Sequence, residues 1–140
     1  MPDIGAPFFI HSVAEGNAAL VRGGYEAFAA GDIDAVLAHY HPDATYQDAG
    51  GLLRGHAEIR QFYEASARDY PGLEVTILRE FPGSPDASAL EVYAVLIDHE
   101  GRRFEIRGLN VMTVRDGRFT SVRCYEDPLS PEPPGGQSAP

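Results

Sequence analysis

Residues 31–63, GDIDAVLAHYHPDATYQDAGGLLRGHAEIRQFY, place one carboxylate, Asp48, at the end of a short strand flanked by apolar helices. Gly31 stops the helix before it, and Asp32 caps the next one. Ile33, Val36, Leu37 and Tyr40 share a face of that short helix, which Pro42 ends. Ala44 to Asp48 alternates as a strand, and Gly50-Gly51 supplies a turn. After Gly55 a third helix over 56–69 presents Ile59, Phe62, Tyr63 and Ala67, and Pro71-Gly72 closes it. An acid so placed has two readings. It is a former of a capped surface turn, or it is a base at the mouth of a pocket.

Upstream, Ala14, Ala18, Val21, Tyr25, Phe28 and Ala29 recur mostly at spacings of three and four, which predicts an amphipathic helix over 14–30. Downstream, strands are predicted over 73–81, 89–99, 102–115 and 118–126. Their turns are marked by Pro82-Gly83, Glu100-Gly101 and Asp116-Gly117, the last a two-residue hairpin signal. Helices first and strands after give an α+β class: a cone of three N-terminal helices packed on a curved, mostly antiparallel sheet. The domain is expected over 13–127. Residues 1–12 read as a flexible N-terminal segment, and 128–140, PLSPEPPGGQSAP, as a Pro/Gly-rich tail too poor in apolar side chains to offset its ordering entropy.

A chain of 140 residues that is 44% hydrophobic is one domain, able to bury roughly two thirds of its unfolded surface. Its net charge of −10, from 11 Lys and Arg against 21 Asp and Glu, repels phosphate backbones and anionic lipid, so neither nucleic acid nor a membrane is expected as a partner. No apolar run approaches the roughly 20 residues that span a bilayer. The start MPDIGAPFFIHS lacks the basic end and cleavage site of a signal peptide, and the expectation is a soluble, cytoplasmic protein. Cys124 is the one cysteine, so no internal disulfide forms. It reads as a small buried apolar residue rather than an activated thiolate. His39, His41 and Asp43 can be drawn as a metal site, but residues two apart on a helix diverge and Pro42 breaks the geometry. Surface histidines at a helix end are the reading adopted, and no metal or cofactor is expected.

Alternate residues of a strand face opposite sides of a sheet. In 102–115, Phe104, Ile106, Gly108, Asn110, Met112 and Val114 share one face, while Arg103, Glu105, Arg107, Leu109, Val111, Thr113 and Arg115 share the other. The even face is the buried one. Asn110 interrupts its apolar row, and a buried amide without partners costs about 1–3 kcal/mol. Either the fold satisfies it, through a backbone group or a Tyr hydroxyl, or a ligand does. Gly108 removes volume on the same face and leaves room for something to lie there. One carboxylate and one buried amide donor are the minimum for moving a proton alpha to a carbonyl: the base removes it, and the donor holds the oxyanion.

Gly31, Asp32, Ala35, Tyr40, Asp43, Ala44, Asp48, Gly55, Ile59, Phe62 and Tyr63 together form a pattern that resembles the catalytic-base segment of SnoaL-like and ketosteroid isomerase-like proteins of the nuclear transport factor 2 superfamily. Asn110-Val111-Met112 before Asp116-Gly117 is similar to a second family strand, and the likeness runs over 14–126. The resemblance implies a nuclear transport factor 2-like, cystatin-like fold, Asp48 as base and no cofactor. In ketosteroid isomerases the position of Asn110 is a protonated acid that donates to the oxyanion; an amide donates without a shifted pKa. Those enzymes also use a Tyr on the first helix, where this chain has Gly24; Tyr25 is adjacent but rotated about 100° around the helix, toward core packing. SnoaL-like polyketide cyclases use a carboxylate in the same cone.

The expected function is therefore a cofactor-independent isomerase or polyketide-cyclase-type enzyme acting on a small hydrophobic carbonyl compound. Asp48 and Asn110 are the candidate catalytic residues, with Tyr25, Tyr46, Phe62, Gly108, Met112 and Glu126 around the substrate. Glu126 shares a parity with Cys124 and is either a second acid at the pocket rim or a frayed strand end. The alternative is a non-catalytic small-molecule-binding or dimerisation module. An epoxide hydrolase would want Arg107 followed two places later by an acid, and position 109 is Leu. A homodimer through the open sheet is expected, with Leu109, Val111, Phe119 and Tyr125 facing outward.

Overall fold

Helices pack against one face of a single curved sheet in a computed structural model that describes residues 17–129. Both expected tails fall almost wholly outside those residues. α1 spans Asn17–Ala29 and α2 spans Ile33–Ala38. Gly31 between them takes φ +75°, and Asp32 Oδ1 accepts the Ala35 amide at 3.0 Å, the N-cap its position promised. α3 spans Gly55–Asp69. The strands are β1 (Tyr40–Asp48), β2 (Gly51–Arg54), β3 (Gly72–Ser84), β4 (Ala87–Ile97), β5 (Arg103–Arg115) and β6 (Arg118–Pro128).

The six-stranded sheet runs β2-β1-β6-β5-β4-β3. All neighbours are antiparallel except β1 and β6, whose parallel pairing joins the two ends of the domain. That pairing explains why β1 begins at Tyr40, earlier than its alternation suggests: Tyr40 already lies beside Phe119, and Pro42 falls in the irregular stretch of the register between Tyr40 and Thr45. β2 pairs with β1 as a hairpin and was invisible to periodicity because it is four residues long.

The expected turn at Pro82-Gly83 is displaced. β3 continues through it to Ser84, and the chain reverses at Pro85-Asp86, where Ser84 Oγ accepts the Asp86 amide at 3.3 Å. β3 is an edge strand with a register shift at this point, so a proline there removes no inner ladder bond. The Asp116-Gly117 hairpin forms as predicted, with φ +55° and +73°, the two positive values of a type I′ turn.

The core lies between helices and sheet. Ile59 of α3, Val36 of α2, Ile77, Leu90 and Met112 are all 0–1% exposed, and each buried side chain of this size contributes about 1.5–3 kcal/mol. β5 follows the expected parity, with Gly108 and Met112 buried and Arg103, Glu105, Arg107 and Leu109 exposed. β6 does not. A register shift between Thr113 and Val114 breaks the alternation, and Phe119, expected on the outer face, is buried against Tyr40 with ring centroids 5.2 Å apart. On the outer face Arg103 grips the buried Glu74 carboxylate through both terminal nitrogens, at 2.7 and 3.2 Å, the pairing a buried acid requires.

Candidate active site

A cavity of about 240 Å³ opens between α1, α3 and the inner face of the sheet. That falls just below the range for drug-sized ligand sites, about 300–1,000 Å³. From the helices Tyr25, Phe28, Phe62 and Tyr63 form its walls. From the sheet come Tyr46 and Asp48 of β1, Asn110 and Met112 of β5, and Cys124 and Glu126 of β6. Two distant stretches of sequence thus meet on one apolar hollow. The parallel β1–β6 pair and the antiparallel β5–β6 pair bring them there.

The rings are mutually fixed. Tyr46 and Phe62 pack at a 35° tilt with centroids 4.7 Å apart, and Phe62 meets Tyr63 edge-on at 5.3 Å. The polar atoms among them are paired. Tyr40 and Tyr63 share a hydroxyl–hydroxyl bond of 2.7 Å, and Cys124 Sγ donates to Tyr46 Oη at 3.4 Å. Asn110 Nδ2 donates to Tyr25 Oη at 3.4 Å, so the Tyr hydroxyl is the partner that the amide needed. Tyr25, named among the residues around the substrate despite its rotation from the Gly24 position, lines the cavity, as does Gly24 beside it.

Burial pushes the phenols of Tyr25, Tyr40, Tyr46 and Tyr63 above their ordinary range, which keeps them protonated and able to donate at neutral pH. Burial likewise pushes the Cys124 thiol up to about 12, with the Glu126 and Asp48 charges adding to the effect. A thiol so protonated is no nucleophile at neutral pH.

Asp48 stands at the mouth, half-buried. Its Oδ1 accepts the Gly50 amide at 2.8 Å, an Asx turn that starts the β1–β2 hairpin. One oxygen thus shapes the turn while the side chain borders the cavity. Glu126 lines the same mouth with one side in solvent. Desolvation by the cavity wall and the neighbouring Asp48 charge raise its carboxyl above the usual range.

Gly108 does not border the cavity. A Cβ there would meet Tyr125 O at 3.4 Å and Val92 Cγ2 at 3.5 Å, so the room expected for a ligand is taken by protein. Tyr40, Tyr63 and Cys124 were read from the sequence as packing residues only. The signal that marked the two tyrosines was the hydroxyl each carries into an apolar stripe, and for Cys124 it was the parity shared with Glu126. Of the histidines beside the site, His39 bonds the Ala35 carbonyl through Nδ1 at 2.7 Å and His56 the Tyr40 carbonyl through Nε2 at 2.9 Å.

The SnoaL-like domain family matches residues 21–122, most of the described chain. The chain belongs to the SnoaL-like family. It is 35% identical to a Steroid Delta-isomerase of Nocardioides simplex over 118 residues, which covers 82% of this chain and 92% of that protein. Among solved structures, the Delta 5-3-ketosteroid isomerase of Mycobacterium sp. superposes with a TM-score of 0.69 at 24% identity, covering 77% of this chain and 90% of the other. An LEH-like epoxide hydrolase of M. tuberculosis superposes at 0.67 with 27% identity, over 78% and 80%. The SnoaL-like cone is thus shared by proteins of different chemistry, and the side chains within it must decide.

Proposed function

We propose that this SnoaL-like protein is a cofactor-independent isomerase, or a cyclase of related mechanism, acting on a small hydrophobic carbonyl compound. The observation that carries the reading is that Asp48 and Asn110, from strands far apart in sequence, border one cavity whose other walls are mostly aromatic and aliphatic side chains. Asp48 takes the proton alpha to the carbonyl. The carbon–hydrogen electron pair moves into the enolate, and the oxygen accepts a hydrogen bond from the second Nδ2–H of Asn110, whose first is engaged by Tyr25. Return of the proton to a different carbon completes isomerisation, whereas attack of the enolate on a carbonyl within the same molecule completes cyclisation. Similarity to the Steroid Delta-isomerase supports the first outcome.

The experiment is turnover of a β,γ-unsaturated ketone, with Asp48→Asn as control. Loss of turnover with retained ligand affinity supports the base. Equal turnover by the variant overturns it.

A second reading, a non-catalytic binding module, is favoured by the Asx turn, which gives Asp48 a structural task of its own. It predicts ligand binding with no turnover in either protein. Epoxide opening has less support: Arg107 is exposed on the face of β5 opposite Asn110.

A second copy of the chain is the proposed protein partner. Leu109 and Tyr125 lie directly cross-strand on the outer face, 37% and 56% exposed. Light scattering at a dimer mass, lowered by Tyr125→Glu, is the expected result; a monomer in both overturns it.

A further inference from the structure

Glu126 borders the cavity mouth and has no side chain opposite it on the neighbouring strand. β5 and β6 pair Gly108 with Glu126, and a Cβ at Gly108 would lie 3.8 Å from Glu126 Cγ. Glu126 is exposed on its solvent side and borders the cavity together with Asp48, Cys124 and Tyr25. Asp48 ends β1 one residue beyond the Gln47–Arg123 pair, which sets it beside the same stretch of β6. Both acids also line a shallow groove on the outside of the mouth, with Gln47 and Arg123. They therefore stand between the hollow and bulk water.

We propose that Glu126 is a second proton carrier of this site: it gives a proton to the substrate carbon while Asp48 removes one, so that isomerisation runs with exchange against water. This rests on the reading of Asp48 as the base. In the step, Asp48 carboxylate breaks the C–H bond and becomes the acid, and the electron pair enters the enolate. Protonated Glu126 then gives its proton to the distal carbon and becomes the carboxylate. The Asp48 proton passes to Glu126 directly or through water, and both groups return to their starting states with no net proton gained or lost.

The charges around Glu126 raise its affinity for the proton that it would give. Facing it are Asp48 from β1, the neutral Cys124 thiol of its own strand and the Tyr25 phenol from α1, while Arg123 lines the outer groove. Among the described residues no Lys, Arg or His lines the cavity itself. Glu105 is a further acid in the lining, so repulsion from Asp48 is not offset within the hollow, and with desolvation it raises the Glu126 carboxyl above its usual range.

The test is isomerisation of a β,γ-unsaturated ketone in D2O, with the product read by mass spectrometry and NMR. The wild-type protein is expected to place deuterium on the newly protonated carbon. Glu126→Gln is expected to turn over more slowly with product that keeps its own hydrogen, and Glu126→Asp to restore exchange. Equal deuterium content in wild type and Glu126→Gln overturns the proposal. Independently of turnover, the 13C carboxyl titration of Glu126 should move to lower pH in Asp48→Asn; an unmoved midpoint also overturns it. Turnover surviving Asp48→Asn sinks the base reading instead, so the two failures are distinct.

Discussion

Asp48 Oδ1 accepts the Gly50 amide at 2.8 Å while the same side chain borders the cavity, so one carboxyl serves a turn and a pocket. The two tasks separate under one substitution. Asn keeps the Oδ1 acceptor but cannot take a proton. Asp48→Asn is expected to lower turnover about a hundred- to ten-thousand-fold while changing unfolding free energy by less than about 0.5 kcal/mol. Steady-state kinetics and urea unfolding of the same preparation check both halves.

The Tyr40–Tyr63 bond ties β1 to α3 at the cavity wall. Tyr63→Phe leaves the buried Tyr40 hydroxyl without that partner and is expected to cost about 1–3 kcal/mol. Tyr40→Phe together with Tyr63→Phe is expected to cost less than the two singles added, since neither hydroxyl is then stranded. A double-mutant cycle in urea measures this coupling.

Neighbouring glycines in α1 have opposite surroundings. A Cβ at Gly23 would sit 2.7 Å from Nε2 of His39, a ring anchored through Nδ1 on Ala35 O, whereas a Cβ at Gly24 meets nothing within 4 Å. Gly24→Ala is therefore expected to stabilise the helix by about 0.5–1 kcal/mol, and Gly23→Ala to destabilise it by about 1–3 kcal/mol. Thermal melts of the two variants order them.

Alkali should weaken the protein through its protonated cavity. The unfolded-chain thiol ionises near about pH 8.5 and the phenols near about pH 10. In the folded protein Cys124 holds its proton to about 12, and the four cavity tyrosines are raised as well. Above the unfolded values the native state binds more protons than the unfolded one, so stability present at neutral pH falls as pH rises. Urea midpoints at about pH 7 and about pH 10 should show that fall, and Cys124→Ala should make it shallower.

Local chemistry was legible from the chain wherever one or two residues set the geometry. Asp32 caps, Gly31 reverses and Asp116-Gly117 turns because each outcome depends on a backbone angle or an oxygen within a few residues. The inner face of β5 followed from a period of two that nothing in that strand interrupts. Prediction failed where a distant partner intervened. The register shift beside Val114 turned Phe119 inward, an edge position let Pro82 stay within a strand, and pairing with β6 lengthened β1.

The site divides along the same line. By itself the sequence determined the class of fold, the acid at the end of β1 and the amide in an apolar row, because periodicity and a lone polar residue are local facts. Tertiary structure alone decided that Tyr25 meets Asn110, that Gly108 yields its space to protein and that Glu126 stands beside Asp48. Those relationships arise from cross-strand register and from the approach of a helix to a sheet. Both are fixed by packing between segments far apart along the chain, which no spacing within one segment encodes.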